Sequence, residues 1–203
     1  SDTDTPLFEN VNLILNKGDR LGVSGPIGTG KSILIQILCG LDREYRGELL
    51  FHNRPYRDYQ HNELRSYMSY VHQKPFLFAD SIRNNIAIDT EYSDEQIWEF
   101  LDLAGLKSDI EGFDDQLDTP LGEWGINLSG GQKQRLTLAR ALARKPSLLF
   151  LDDCLSAVDT VTEEQILKNL DQQLKDTTLI WVAHRESTLK YCNKFLKLGH
   201  KDV

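Results

Sequence analysis

The chain has 203 residues, of which 40% are hydrophobic and 27% charged, a composition typical of a globular protein long enough to bury a substantial core. Its formal net charge of −8 argues against a general nucleic-acid-binding surface, because such surfaces are basic. The sequence contains no run of about 18 or more apolar residues, so no segment of it is predicted to span a membrane.

The cysteines and the amino terminus indicate the cellular context of the chain. Cys39, Cys154 and Cys192 are odd in number and lack CxxC spacing, which indicates reduced intracellular thiols rather than disulfides or a zinc site. The polar, acidic start at residues 1–5 has no signal-peptide pattern and no initiating Met. We therefore expect an excised piece of a longer chain.

The first third of the chain is predicted to alternate strands with a helix. Apolar runs bounded by turn residues indicate strands, and periodic apolar residues after a glycine-rich segment indicate a helix. The predicted elements are a strand over Val11–Leu15, a turn at Lys17–Asp19, a strand over Arg20–Ser24, a helix from about Ser32 to Leu38 ending at Gly40, a strand over Gly47–Phe51 with a turn at His52–Arg54, and a strand over Tyr67–Val71.

The region of about 80–145 is predicted to be a helical subdomain. Ser93 and Gln96 have capping-box spacing, and an apolar stripe follows them at helical period. That stripe indicates core packing rather than a ligand site, and it consists of Ile97, Phe100, Leu101 and Ala104. Ser129 is predicted to cap a second helix that runs to about Arg144.

The last part of the chain is predicted to complete an α/β core. Ser147–Asp152 and Thr178–Ala183 are continuous apolar runs, typical of strands buried on both faces of a parallel sheet. A helix over Glu163–Leu174 lies between them, so strands and helices alternate. We expect a single domain over 1–203, with its core in about 1–79 and 146–203 and the helical subdomain inserted at about 80–145.

Two glycine-rich segments predict anion sites. The first fits G-x-x-x-x-G-K-[ST], a loop whose amides wrap nucleotide phosphates at a helix N-terminus, and it consists of Gly25, Pro26, Ile27, Gly28, Thr29, Gly30, Lys31 and Ser32. The second places the amides of Gly130 and Gly131 after Ser129 at another helix N-terminus. Two chains arranged head to tail could therefore hold two ATP molecules, each between a phosphate loop of one chain and the second segment of the other.

In order and spacing, these segments resemble the nucleotide-binding domain of the ATP-binding cassette (ABC) family. The resemblance covers nearly the whole chain, and its most specific motif is the signature at Leu128–Arg135. It is carried by Gly25–Ser32, Gln73, Leu128–Gln132, Asp152, Asp159 and His184. It implies a phosphate-loop NTPase core with a mostly parallel sheet, an antiparallel β element and a helical subdomain.

The resemblance also implies roles for individual residues. Lys31, Ser32 and the loop amides would bind ATP phosphates, while Ser32, Gln73 and Asp152 would hold Mg²⁺. Gln73 would also touch the attacking water and sense the transmembrane domain.

Further implied roles concern a partner domain and catalysis. The signature residues Ser129, Gly130, Gly131 and Gln132 would bind ATP held by the partner. Of these, Ser129 and Gly131 would contact its γ-phosphate. Asp159 matches the D-loop at the dimer interface, and His184 matches the switch histidine that contacts the γ-phosphate.

Two further segments resemble the exporter branch of the family. Thr119–Gly125 is similar to the X-loop, and Pro75–Phe78 with Ser81–Ile86 is similar to the exporter version of the region after Gln73. The resemblance implies a position on the cytoplasmic face of a membrane, the inner membrane if the source is bacterial. Attachment would be through a transmembrane domain that is absent from this chain.

The chain departs from the family pattern at the catalytic carboxylate. Asp153 stands where the family has a Glu that acts as general base, and its shorter side chain withdraws the carboxylate by roughly 1–1.5 Å. A displacement of about 1 Å can cost about 10²-fold in rate. We therefore expect the degenerate half of a heterodimeric exporter, in which the intact signature serves the partner's site, although a working Asp base is the alternative.

The two ends depart from the pattern as well. The chain starts after the family's usual adenine-stacking aromatic, since Phe8 aligns with the residue before the first strand, and it stops at Val203, short of the family's last elements. These departures are expected of a truncated domain.

Three functions remain open from the sequence. The first is an ATP-hydrolysing motor domain, and the second is a catalytically weak regulatory subunit that binds ATP and completes a partner's site. The third is a non-transport ABC ATPase of the DNA-repair type, which the missing coiled-coil insertions and the acidic charge disfavour. We expect a second nucleotide-binding domain as partner, with a heterodimer favoured over a homodimer, and no nucleic acid.

Overall fold

A computed structural model describes residues 6–125, 127–182 and 185–199 of the chain. Its strands are β1 (Arg20–Ser24), β2 (Leu50–Phe51), β3 (Arg54–Pro55), β4 (Met68–Val71), β5 (Leu148–Asp152), β6 (Thr178–Val182) and β7 (Lys194–Lys197). Its α-helices are α1 (Lys31–Leu38), α2 (His61–Ser66), α3 (Ile82–Ala87), α4 (Asp94–Leu103), α5 (Lys107–Glu111), α6 (Gly130–Ala143), α7 (Thr160–Gln173) and α8 (Glu186–Leu189). Short 3₁₀ turns cover Tyr56–Asp58, Gln116–Asp118 and Glu123–Gly125.

A five-stranded parallel sheet forms the centre, in the order β4-β5-β6-β1-β7. The two apolar runs predicted to be buried become β5 and β6 in its interior, where helices cover both faces. A separate antiparallel pair joins β2 to β3 through His52 and Asn53, both of which have positive φ as a tight hairpin turn requires. The predicted α/β class, with its mostly parallel sheet and antiparallel element, is confirmed.

Successive residues of the central strands enter two different cores. Phe150 of β5 and Ile180 of β6 pack with α1, the hairpin and α2 on one face of the sheet. Their neighbours Leu149 and Leu179 pack on the other face with the helices α3, α4, α6 and α7. This alternation with a period of two residues fixes which side chains of each strand share a face.

The predicted strand over Val11–Leu15 is wrong. Its side chains do alternate between half-buried and exposed, and Val11, Leu13 and Leu15 pack against the core on the α1 side of the sheet. However, no described strand lies beside it to form a hydrogen-bonded ladder, because β2 pairs only with β3. The alternation thus reflects packing of an extended segment rather than sheet formation.

The helical predictions are largely confirmed. The capping box predicted at Ser93 forms, Ser129 caps α6 as predicted, and the stripe at Ile97, Phe100, Leu101 and Ala104 is at most 5% exposed. The strand predicted over Gly47–Phe51 is shorter than expected and comprises β2 alone, while α2, α8 and β7 were not predicted. Within the described residues, no helix is long and apolar enough to cross a membrane.

Candidate functional site

The glycine-rich loop after β1 leads directly into α1. Gly25, Gly28 and Gly30 all have positive φ, and Gly30 is the N-cap of the helix. A Cβ at Gly25 would lie 2.3 Å from the Leu198 carbonyl oxygen, so only glycine fits there. At Gly28 a Cβ would meet nothing within 4 Å, so the outer side of the loop is open to a ligand.

The lysine of this loop lies inside its curve. Lys31 is only 7% exposed, and its Nζ donates to the carbonyl oxygens of Gly25 (2.8 Å) and Pro26 (2.7 Å). The Thr29 hydroxyl donates to the same Pro26 carbonyl at 3.0 Å. These bonds fix the shape of the loop and place one cation at its centre, at the N-terminus of α1, where an anion is stabilised.

Two oxygen-bearing side chains meet beside the loop. Ser32 Oγ donates to Asp152 Oδ1 at 3.1 Å, although the two residues are 120 positions apart in the chain. The Tyr70 hydroxyl donates to the other oxygen, Asp152 Oδ2, at 2.9 Å. A hydroxyl and a carboxylate in contact next to a phosphate-binding loop are the hard oxygen donors that Mg²⁺ prefers, so these residues fit that ion.

Gln73 and Asp153 also contact each other. Gln73 Nε2 donates to Asp153 Oδ2 at 3.0 Å, and the Asp153 amide donates to the Val182 carbonyl at 3.0 Å. Asp153 has a φ of 48°, in the left-handed region. The structure thus brings Ser32, Asp152, Gln73 and Asp153 together where strands β4 and β5 end.

The second glycine-rich segment begins α6. Ser129 Oγ accepts from the Gln132 amide (3.2 Å), and Gln132 Oε1 accepts from the Ser129 amide (2.9 Å). A serine hydroxyl that accepts within its own helix still has a proton to donate to an outside anion. A Cβ at Gly131 would lie 2.9 Å from the Ala157 carbonyl oxygen, so this glycine allows α6 to approach the segment after β5.

Gln134 joins that helix to the segment over residues 156–159. It is 4% exposed; its Nε2 donates to Ser156 Oγ (3.1 Å), and its Oε1 accepts from the Ala157 amide (2.8 Å). Gln134 lies within the signature motif at Leu128–Arg135, but the motif by itself predicted no role for this residue. Asp159 caps α7 by accepting from the Val161 and Thr162 amides, and these bonds lower the pKa of its carboxyl.

Arg185 holds the same segment from the other side. Its guanidinium donates to the carbonyl oxygens of Ser156 and Val158, both at 3.1 Å, and pairs with Glu163. Glu163 is 2% exposed and also accepts from the Thr188 hydroxyl at 2.6 Å. His184, the predicted switch residue that precedes Arg185, lies outside the described residues.

The exporter-like segments lie together. Ser81 and Pro120 form an isolated antiparallel bridge, flanked by hydrogen bonds from the Ile82 amide to the Thr119 carbonyl and from the Leu121 amide to the Asp80 carbonyl. The X-loop-like segment is therefore fixed to the chain that follows Gln73.

A groove of about 560 Å³ runs along the segment after Gln73. Among the described residues its lining holds four cations and no carboxylate, the cations being Arg65, Lys74, Arg140 and Arg144. Arg140 donates to the carbonyl oxygens of Phe76 and Asn85, both at 2.7 Å, and burial lowers its pKa to about 10. The groove is thus basic although the chain as a whole is acidic.

A family described as "ABC transporter" matches residues 8–156 of this chain. The multidrug resistance-like ATP-binding protein MdlA of Escherichia coli is 42% identical over 202 residues, which are 99% of this chain and 34% of that protein. The ATP-dependent lipid A-core flippase of Photobacterium profundum is 40% identical over 98% of this chain and 34% of its own length.

A solved structure of a bacterial Atm1-family ABC exporter with ATP bound superposes on this chain with a TM-score of 0.91 and 31% identity. The match covers 97% of this chain and 35% of that one. The chain therefore spans about a third of the length of each of these relatives.

Proposed function

Since the chain belongs to the ABC transporter family, we propose that it is the ATP-binding and ATP-hydrolysing motor domain of an exporter, which dimerises head to tail around ATP to drive export across a membrane. The observation that carries this proposal is the contact between Ser32 and Asp152 beside the phosphate loop. That contact joins a phosphate site to the oxygen ligands of Mg²⁺, as hydrolysis of ATP requires.

The proposed binding roles follow the geometry. The loop over Gly25–Ser32 binds the ATP phosphates, with Lys31 neutralising their charge, while Ser32, Asp152 and Gln73 would hold Mg²⁺. Bound Mg²⁺ supplies charge neutralisation of the transferring phosphoryl group. Asp153, oriented by Gln73, is the proposed general base, and His184 is the proposed contact to the γ-phosphate.

A second nucleotide-binding domain is the proposed partner. Ser129, Gly130, Gly131 and Gln132 form an anion site at the start of α6, and this site serves the ATP held by the partner's loop. Because Asp153 is shorter than the family's Glu, we propose a heterodimer in which this chain is the weaker half. The second candidate function, a weak regulatory subunit that completes the partner's site, is favoured by this same substitution.

The basic groove is the proposed contact with a transmembrane domain. It borders the segment that directly follows Gln73, and Arg140 ties that segment to α6 through Phe76. Movement of a partner in the groove would therefore reach the segment after Gln73 and, through Arg140, the last turn of α6 together. On this proposal, residues 1–203 are one nucleotide-binding domain with a helical subdomain at about 80–145, located at the cytoplasmic face of a membrane.

The test is complementation between two inactive variants. Lys31→Ala removes the loop cation, and Ser129→Arg blocks the signature, so each homodimer has no intact site. When the two variants are mixed, half of the random dimers contain one of each, and each such dimer has one intact site of two. We therefore expect about a quarter of the ATPase activity of the same amount of unmixed chain that carries neither change. Gln165→Ala, an exposed change on α7, is the control.

The same assay is run in the wild-type and Asp153→Glu backgrounds. We expect Asp153→Glu to raise turnover by about 10²-fold, since it returns the base to reach of its water. ATP binding without hydrolysis in either background would favour the regulatory subunit. Absence of ATP binding by the wild-type chain would contradict the proposed function.

A further inference from the structure

Tyr70 lies on the same face of the sheet as Asp152. It is on the edge strand β4, where its Cα is paired with Phe150 of the neighbouring strand β5. Phe150 and Asp152 are two residues apart, so both side chains point to the α1 face. The strand register therefore directs the Tyr70 ring along the sheet towards the carboxylate of Asp152.

The Asp152 carboxylate is buried and has a separate donor on each oxygen. Asp152 is 5% exposed; its Oδ2 accepts from the Tyr70 hydroxyl at 2.9 Å, and its Oδ1 accepts from Ser32 Oγ at 3.1 Å. Because an ionised carboxylate can only accept, the Tyr70 phenol is the donor in this bond.

The two donors differ in what they contact. Ser32 is the last residue of the phosphate loop, lies in the first turn of α1 and is itself a proposed Mg²⁺ ligand. Tyr70 lies on the opposite side of the carboxylate, on the edge strand. Oδ2 is therefore held by a neutral donor outside the proposed ligand set, while Oδ1 faces Ser32 and the phosphate loop.

We propose that Tyr70 is a positioning residue for the magnesium site: its hydroxyl fixes the Asp152 carboxylate so that the other oxygen faces Mg²⁺ bound with ATP. This inference rests on the proposed function and adds a residue that no motif in the sequence singled out. Outer-shell donors to a metal-ligating carboxylate typically contribute 10–100-fold to metal affinity or activity. The effect of Tyr70 should consequently appear in metal-dependent binding and not in nucleotide binding as such.

The test compares Tyr70→Phe with a matched phenol deletion elsewhere. Tyr59 is 9% exposed and donates its hydroxyl to the Phe51 carbonyl at 2.7 Å in the hairpin region, so Tyr59→Phe removes the same atom from another buried bond. A non-hydrolysable ATP analogue is titrated by calorimetry into each protein, once with Mg²⁺ and once with EDTA. The Kd in EDTA divided by the Kd in Mg²⁺ measures the coupling between metal and nucleotide.

We expect Tyr70→Phe to lower this ratio by about tenfold or more, with the Kd in EDTA unchanged and Tyr59→Phe equal to wild type. With Mn²⁺ in place of Mg²⁺, the electron paramagnetic resonance spectrum of the bound ion should change in Tyr70→Phe alone.

Three results would overturn the inference: an unchanged ratio in Tyr70→Phe, an equal loss of affinity with and without metal, or the same loss in Tyr59→Phe. A wild-type chain that binds the nucleotide equally well in EDTA would overturn it while leaving ATP binding intact. A wild-type chain that binds no nucleotide would overturn the proposed function and this inference together.

Discussion

At the residue scale, Asp153 combines an unusual backbone with a defined partner. Its φ of 48° lies in the left-handed region, which Asp adopts more readily than most residues with a Cβ. Its amide is bonded to Val182 and its carboxylate to Gln73, so both the backbone and the side chain are held in place. The weakness we propose for this base thus comes from its length and not from disorder of the side chain.

A second residue, Asp109, gives a pH-dependent prediction. Burial alone would raise the pKa of its carboxyl, but donors from Arg135 (2.8 Å) and Gln132 (2.9 Å) outweigh burial and lower the pKa below the ordinary 3.8. A lowered pKa in the folded state means that the ionised form stabilises the fold above about pH 4. That contribution is lost as the pH falls through the folded-state pKa.

We expect Asp109→Asn to lower the free energy of unfolding at pH 7 by about 1–3 kcal/mol, because it removes charge-assisted hydrogen bonds to Arg135 and Gln132. The deficit should shrink as the pH falls below about 4, because the wild-type carboxyl becomes protonated. Urea denaturation across this pH series measures it, with the exposed Asp114→Asn as control. A deficit of the same size at every pH would show that packing, and not the charge, is responsible.

At the element scale, the joint between α6 and the segment after β5 depends on one glutamine. Gln134 both donates to Ser156 and accepts from the Ala157 amide, while Gly131 allows the backbones to approach. The start of α6 and the segment over residues 156–159 are thereby held as one unit. On the proposed function, both face the partner domain, so their relative position sets the geometry of the partner's site.

Gln134→Leu keeps the volume but leaves the Ala157 amide without its acceptor. We expect a loss of about 0.5–1.5 kcal/mol in the free energy of unfolding, the net contribution of a typical hydrogen bond, together with faster amide exchange at residues 156–158. Hydrogen exchange read by mass spectrometry measures the second effect. Gln165→Leu on the exposed face of α7 is the matched control. Unchanged amide exchange in Gln134→Leu would contradict the claim that Gln134 holds residues 156–158 against α6.

The elements that could be predicted from the sequence are those specified by local chemistry. The capping box at Ser93 and the apolar runs of β5 and β6 are recognisable from a few neighbouring residues, which mark where a helix begins or which strand is buried. Val11–Leu15 has the alternation of a strand without a neighbour to pair with, and β7 (Lys194–Lys197) alternates exposed with half-buried residues at the sheet edge. Whether an alternating segment becomes a strand depends on its neighbours, which the sequence does not reveal.

The same distinction applies to the site. The phosphate loop and the signature could be predicted because their glycines, Lys31 and Ser129 act within a few residues of one another. Tyr70, Gln134 and Arg185 act across 82, 23 and 29 positions of the chain. Their roles depend on strand register and helix packing, so a pattern read along the chain could not find them.

At the scale of the whole molecule, the parallel sheet gathers the candidate site at one edge. The phosphate loop follows β1, Gln73 follows β4, and Asp152 and Asp153 stand at the end of β5. The carboxyl ends of parallel strands meet at the same edge, where ligands bind in open α/β sheets. Binding there connects strands from both halves of the sequence and should stabilise the fold as a unit.

A thermal-shift measurement tests this linkage. A ligand that binds only the folded state at about 100 times its Kd adds about 2.7 kcal/mol, which raises Tm by about 5–10 °C for a domain of this size. We expect this shift with ATP and Mg²⁺, and the loss of most of it in Lys31→Ala, each variant being compared with its own ligand-free Tm. That internal reference matters, because Lys31 also bonds the Gly25 and Pro26 carbonyls and its removal changes the starting stability. A full shift that survives in Lys31→Ala would contradict the proposed role of Lys31 in binding the ATP phosphates.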